Sequence, residues 1–179
     1  MVNPLLNVGK RFQAKYKTVE GVEFFGQFLD IPDTSRVSNF LSARRYLRVS
    51  PTCVLKPRDV VVADGLKYIA GEHGTGFYVD PIYKHLKMFQ VDQIVPWTQT
   101  SREQNPVTGV WETVSDPDKG NVYLSTQPHS MINDSISIPN EMITAICDKD
   151  VQVDDRVGGY VVTKSDVVLG VTLLEMKKI

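Results

Sequence analysis

An Asp-Gly pair set between two apolar runs constrains this chain more than any other feature. Within residues 58–97, Val60-Val61-Val62 leads into Asp64-Gly65, and Leu66-Lys67-Tyr68-Ile69 leads out of it. Both central positions of a two-residue hairpin turn need positive φ, which Asp and Gly tolerate, so the pair predicts two antiparallel strands joined directly. Alternating residues on to Trp97 add at least one more strand beside them.

The same period of two recurs along the chain. Phe12, Ala14, Tyr16 and Thr18 alternate with Arg11, Gln13, Lys15 and Lys17, and Val22, Phe24, Gly26 and Phe28 resume the pattern after Glu20-Gly21. Each such run has one buried and one wet face. Residues 82–89 and 91–97 read as two further strands, with Pro96 ending the second or placing it at an edge. Near the end, Tyr160-Val161-Val162 and residues 167–176 form a closing hairpin around Lys164-Ser165-Asp166. About ten short strands separated by glycine and proline predict an all-β fold, a small β-barrel with at most one short helix. Residues 36–49 leave helix and strand open: Val37, Phe40, Leu41 and Leu47 suit the first, while Leu41, Ala43, Leu47 and Val49 suit the second with Arg45 as the exception.

The chain of 179 residues is long enough to bury a core without metal or disulfide support, and is read as a single barrel domain spanning 1–179. Residues 1–10, apolar and carrying Pro4, are read as an N-terminal arm. From 98 to 140 the composition turns to Ser, Thr, Asn, Asp, Gln and Pro, too poor in apolar residues for a second core, so this stretch is read as a long polar hairpin or loop insertion projecting from the barrel. Within it, Asn105-Pro106-Val107-Thr108-Gly109 is a turn and residues 110–114 its return strand. On this reading, removing 100–125 leaves the barrel folded.

A search for chemistry finds no nucleophile elbow, phosphate loop, zinc-protease or CxxC pattern. The expectation is therefore a non-enzymatic chain with no catalytic residues, no cofactor and no metal site. His73, His85 and His129 lack metal-ligand spacing, and His73 would be the residue of a hydrolase, the weakest alternative. The glycine-rich stretch 71–76 leads into Phe77-Tyr78-Val79 and a proline, which makes it a connecting turn and not a phosphate cradle. Asp154 and Asp155 are adjacent and would face opposite ways on an extended segment, a poor arrangement for paired carboxylates. Cys53 and Cys147 are too few and too far apart for a disulfide framework and read as buried free thiols. No secretory signal and no run of ~20 apolar residues is present, so the expectation is a soluble protein made in a reducing cytoplasm, with no membrane partner.

Net charge is -1, which argues against a dedicated nucleic-acid binder. Arg44, Arg45 and Arg48 form the one basic cluster, open to two readings: contact with an acidic partner or phosphates, or ion pairs to nearby carboxylates. With Tyr78, Tyr83, Phe89 and Trp97 as stacking platforms, that cluster would make an OB-like barrel binding single-stranded nucleic acid, the second functional reading.

Pro57-Arg58-Asp59-Val60-Val61-Val62, the return Gly65-Leu66-Lys67-Tyr68-Ile69, and the later Asp155-Arg156-Val157-Gly158-Gly159-Tyr160-Val161-Val162 with Val168-Leu169-Gly170-Val171-Thr172-Leu173-Leu174 resemble the small connector proteins joining head and tail in tailed bacteriophages, the stoppers, gatekeepers and collars of the neck. The resemblance covers about half the chain and lies in the pattern of strands and turns. It implies a β-barrel virion protein that assembles with copies of itself in a ring, meets portal or adaptor and tail proteins, and lets genomic DNA pass without specific binding. It brings no catalytic residue with it.

Overall fold

The apolar alternation is used twice, in two separate rings of strands. The computed structural model describes residues 13–30, 45–72, 83–116, 119–127 and 142–179, and every regular element among them is a strand. The chain divides into two compact units, Met1–Gln90 and Val91–Ile179.

In the first unit, β1 (Ala14–Thr18), β2 (Glu23–Asp30), β3 (Arg45–Val49), β4 (Val60–Ala63), β5 (Leu66–Glu72) and β6 (Lys84–Gln90) close into a barrel in the order β1-β2-β3-β6-β5-β4. Every pairing is antiparallel. Asp64 and Gly65 have φ of 51° and 77°, so β4 and β5 are joined by the two-residue turn that the sequence predicts. Phe24, Leu47, Val49, Val61, Tyr68, Leu86 and Met88 fill the interior. Gly26 pairs with Val49 of β3. A Cβ there would sit 2.9 Å from Leu47 Cδ1, 3.1 Å from Val49 Cγ1 and 3.1 Å from the Arg48 carbonyl oxygen, so no larger residue fits without moving β3.

The second unit holds β7 (Gln93–Gln104), β8 (Trp111–Asp116), β9 (Asn121–Gln127), β10 (Met142–Cys147), β11 (Arg156–Val157), β12 (Tyr160–Val168) and β13 (Val171–Lys178). Their order is β11-β12-β13-β10-β9-β7-β8, and a further β11–β7 pairing closes six of them into a second barrel, leaving β8 outside the ring. Val122, Leu124, Ala145, Cys147, Val157, Val162, Leu174 and Met176 form its core, with Val95 and Trp97 packed against it.

The structure is all-β, as the alternation predicts, and differs from the sequence reading in several details. Where one barrel is expected, two form: period two reveals strands and buried faces but does not say which strands share a ring. The 98–140 stretch is not all projection, since Val122 and Leu124 are core residues of the second barrel; removing 100–125 would therefore take away one of its staves. The closing turn lies at Leu169-Gly170, with φ of 52° and 73°, and Lys164-Ser165-Asp166 belongs to β12, just past a bulge between Val162 and Lys164. The 151–153 segment reads as a short strand in sequence but is none. Pro96 does not end its strand: β7 runs through it, passing from β9 pairing at Gln93–Pro96 to β11 pairing at Trp97 and Thr98. Arg45 to Val49 is a strand, which decides that part of 36–49. The 1–10 arm, residues 36–44, His73, Tyr78, His129 and residues 128–141 lie outside the described residues.

Candidate docking surfaces

β7, at 12 residues, is longer than any strand it pairs with because it serves two structures. Its first half is a barrel stave, and residues 99–104 pair with β8 in a two-stranded ribbon, Gln99 opposite Asp116 and Gln104 opposite Trp111. Residues 101–104 and all of β8 are exposed. An isolated two-stranded ribbon is marginal in water, so the ribbon needs support at both ends.

At the tip, Asn105 organises the turn. Its backbone N–H donates to the Val110 carbonyl (2.8 Å), and its side-chain oxygen accepts from the N–H groups of Val107 (2.9 Å) and Thr108 (3.2 Å). The Asn105 side-chain amide donates to Glu112 (2.8 Å), and the Gln104 amide donates to the Gly109 carbonyl (2.9 Å). This is the local side-chain bonding by which Asn substitutes for a backbone turn.

At the base, Asp155 fixes the ribbon to the barrel. Its carboxylate is fully buried and accepts from Trp97 Nε1 (3.0 Å), the Thr100 N–H (2.7 Å) and the Gln152 N–H (2.9 Å). A buried carboxylate is tolerated only with such partners. Its neighbour Asp154 is exposed with φ of 73°, so the adjacent acids of the sequence are a turn residue and a structural clasp. Asp148 works similarly nearby: it accepts from the Tyr123 N–H (2.8 Å), and burial pushes its carboxyl above the ordinary range, against the lowering effect of that bond and of Lys149.

The register divides the ribbon into two faces. Trp111, Gln104, Arg102 and Thr113 share one; Glu103, Glu112, Ser101, Val114, Gln99 and Asp116 share the other. Apolar side chains are exposed throughout, Val107 at 91%, Trp111 at 65%, and Val110 and Val114 also open. Trp111 and Val114 lie on opposite faces and Val107 and Val110 at the tip, so both faces and the end of the ribbon present apolar side chains to water.

The predicted basic cluster is not one surface. Arg45 lies on the inner face of β3 with Leu47 and Val49, whereas Arg48 lies on the outer face. Arg45 sits at one end of the first barrel, 2.7 Å from Asp30 and 3.7 Å from Asp64. It donates to the Tyr68 hydroxyl (3.0 Å), with its guanidinium 5.7 Å from the centres of the Phe28 and Tyr68 rings. Burial, together with Asp64, holds the Tyr16 hydroxyl above its ordinary pKa at this end. Arg48 stacks 3.9 Å above the Tyr83 ring. Arg44 lies outside the described residues. Of the stacking candidates, Phe89 is buried in the first unit and Trp97 packs against the second core. Cys147 is buried and Cys53 half-buried, both as free thiols. Among the described residues, no group of three His, Cys, Asp or Glu is placed to hold a metal ion.

Sequence reading found the ribbon's turn and return strand but missed the Asp155 clasp. The only trace of it is an acid directly before the Arg156-Val157 strand, and two of its three partners, Trp97 and Thr100, lie more than 50 residues away. No family model, curated protein or solved structure matches this chain.

Proposed function

We propose that this chain is a non-enzymatic assembly subunit, and that the β7–β8 ribbon is the part that meets a neighbouring protein. One observation carries the reading: a ribbon held in shape at tip and base leaves Trp111, Val107, Val110 and Val114 in water. Covering one large apolar side chain is worth about 1.5–3 kcal/mol, so a partner that buries them gains several such contributions without ordering the element first. The ladder also has outward strand edges, which a partner strand can extend.

The more specific form of the proposal is a ring-forming subunit of the neck of a tailed bacteriophage, between portal or adaptor and tail proteins. It rests on the strand-and-turn resemblance of residues 57–69 and 155–174 to connector proteins. Tight turns at Asp64-Gly65 and Leu169-Gly170 supply the compact barrels such a ring needs.

The test is excision of the ribbon at a place the register allows. Thr100 and Ser115 are paired, so replacing 101–114 by Asn-Gly joins them through a two-residue turn and leaves both barrels whole. The excised chain is expected to fold with an unchanged β-sheet spectrum and to lose assembly, read by sedimentation and by incorporation into virions. Undiminished assembly would reject the ribbon as the contact.

A further inference from the structure

The charges of the chain are divided between its units. Residues 1–90 hold 13 Lys and Arg against 8 Asp and Glu, net +5; residues 91–179 hold 7 against 13, net -6. The near-neutral total conceals a cationic half and an acidic half.

Each half concentrates its charge around an exposed apolar residue. On the outer face of the first barrel, pairing places Lys15 beside Phe25, Lys17 beside Val62, Val62 beside Lys67, and Arg48 beside Gln27. Phe25 is 60% exposed in the middle of these cations, and the one acid on the β1–β2 part of the face, Glu23, is paired with Lys15 at 2.6 Å. On the ribbon, Glu103, Glu112 and Asp116 share a face with exposed Val114; none of the strand residues on that face is basic, and Lys119, from beyond the ribbon, pairs with Asp116 at 3.1 Å, leaving Glu103 and Glu112 as its acids toward the tip. One surface is an apolar residue ringed by cations; the other is an apolar residue ringed by carboxylates.

Building on the assembly reading above, we infer that the acidic face of the ribbon docks on the Phe25 face of the first barrel of a second copy of this chain, with Val114 against Phe25 and Glu103 and Glu112 facing Lys15 and Lys17. The two surfaces are different patches, so the contact is heterologous: each copy uses its ribbon on the next and offers its barrel to the previous one. Such a contact closes into a ring or runs on as a filament, whereas a self-complementary patch stops at a dimer. The six-pair ladder is about 20 Å long, comparable with β2, so it can lie along the β1–β2 surface. Apolar centre and charged rim are the usual division of labour in an interface. The charges set register and rate and make the assembly salt-sensitive.

The experiment is a charge exchange in the full chain, read by sedimentation velocity across concentration and salt. E103K/E112K and K15E/K17E are each expected to weaken self-association about tenfold or more, and the four-site combination to restore it to within about threefold of the original. Circular dichroism and thermal melting check that each variant is folded. If either pair leaves association unchanged, or if both weaken it and the combination stays weak, the inference is overturned. W111S and the ribbon excision separate the two levels: if they abolish assembly while the charge pairs do not, the ribbon docks elsewhere and only this inference falls. If the unaltered chain stays monomeric, or these variants also leave assembly intact, the assembly reading falls with it. A labelled single-stranded oligonucleotide is titrated in parallel. Tight binding that K15E/K17E removes would assign the cationic face to a polyanion and overturn the proposal.

Discussion

The first barrel fills its interior with rings, Tyr16, Phe24, Phe28 and Tyr68, and places an arginine at one end of them; the second uses aliphatic residues and secures its turns with buried carboxylates. Both are six-stranded and antiparallel. Strand closure therefore does not dictate how a barrel is held. The first relies on fit between large side chains, where volume is critical. The second relies on the buried Asp148 and Asp155 and on the exposed Asp92, each accepting a backbone N–H from a segment distant in sequence. Asp92 also accepts from the Thr126 hydroxyl. Packing tolerates some exchange of shape, whereas a buried donor left with no acceptor carries its full desolvation cost.

The sharpest way to break this comparison is Asp155→Ala. It strands the donors of Trp97, Thr100 and Gln152 in a buried site at once. Each unsatisfied buried group costs about 1–3 kcal/mol, so a loss of about 3–5 kcal/mol is expected, confined to the second unit. Hydrogen exchange should show Thr100 and Gln152 deprotected and β2–β3 unchanged. A loss under 1 kcal/mol would mean that the carboxylate is incidental.

Gly26→Ala is the matching test in the first unit, where fit is at stake. The new methyl meets the Arg48 carbonyl oxygen at 3.1 Å as well as two side chains, and backbone cannot rotate away. Overpacking of this kind costs about 1–3 kcal/mol, and hydrogen exchange of the β2 and β3 amides would register it. Leucine and valine movement could absorb the side-chain contacts alone, so a neutral result would show that β3 yields.

A pH titration separates the two barrels more gently. The Asp148 carboxyl is raised by burial, so the folded state holds its proton more tightly than the unfolded state does. Above both pKa values the charged, buried carboxylate opposes folding. That opposition is relieved as pH falls through the raised folded value toward the ordinary carboxylate value. The Asp148 contribution should therefore stabilise the second unit on mild acidification. Asp148→Asn retains an oxygen for the Tyr123 N–H and should flatten that part of the profile in denaturation midpoints measured against pH.

What the sequence made legible follows from the same contrast. The Asp64-Gly65 hairpin, the alternating rows and the Asn105–Gly109 turn are local: neighbouring residues carry the whole signal. Arg45 was legible as the exception on an inward row, and the structure gives it Asp30 and Tyr68 as partners. The division into two rings was not legible, because β11–β7 closure joins residues about 60 positions apart. Nor was the ribbon's true extent, since polar composition marks exposed strand and loop alike. Val122-Tyr123-Leu124 follows a turn signal in the sequence, but so short an apolar run amid hydroxyls and amides does not say that Val122 and Leu124 belong to a core and not to a projecting hairpin.

The closing hairpin is the place where local chemistry misleads, and it yields the smallest and most specific prediction. Lys164-Ser165-Asp166 has turn composition, yet it is paired strand, and the turn falls on Leu169-Gly170 with both residues at positive φ. Leucine in that conformation costs roughly 1–2 kcal/mol, which Asn largely avoids. Leu169 is half-buried, so replacing it also gives up some apolar cover. Leu169→Asn is accordingly expected to stabilise the second unit by a net ~0.5 kcal/mol, the strain relief exceeding the lost burial. Leu169→Ala distinguishes the two contributions: it keeps the backbone strain and loses the burial, so it should destabilise. If Asn and Ala shift the melting midpoint in the same direction, leucine holds this turn by packing and not in spite of its conformation.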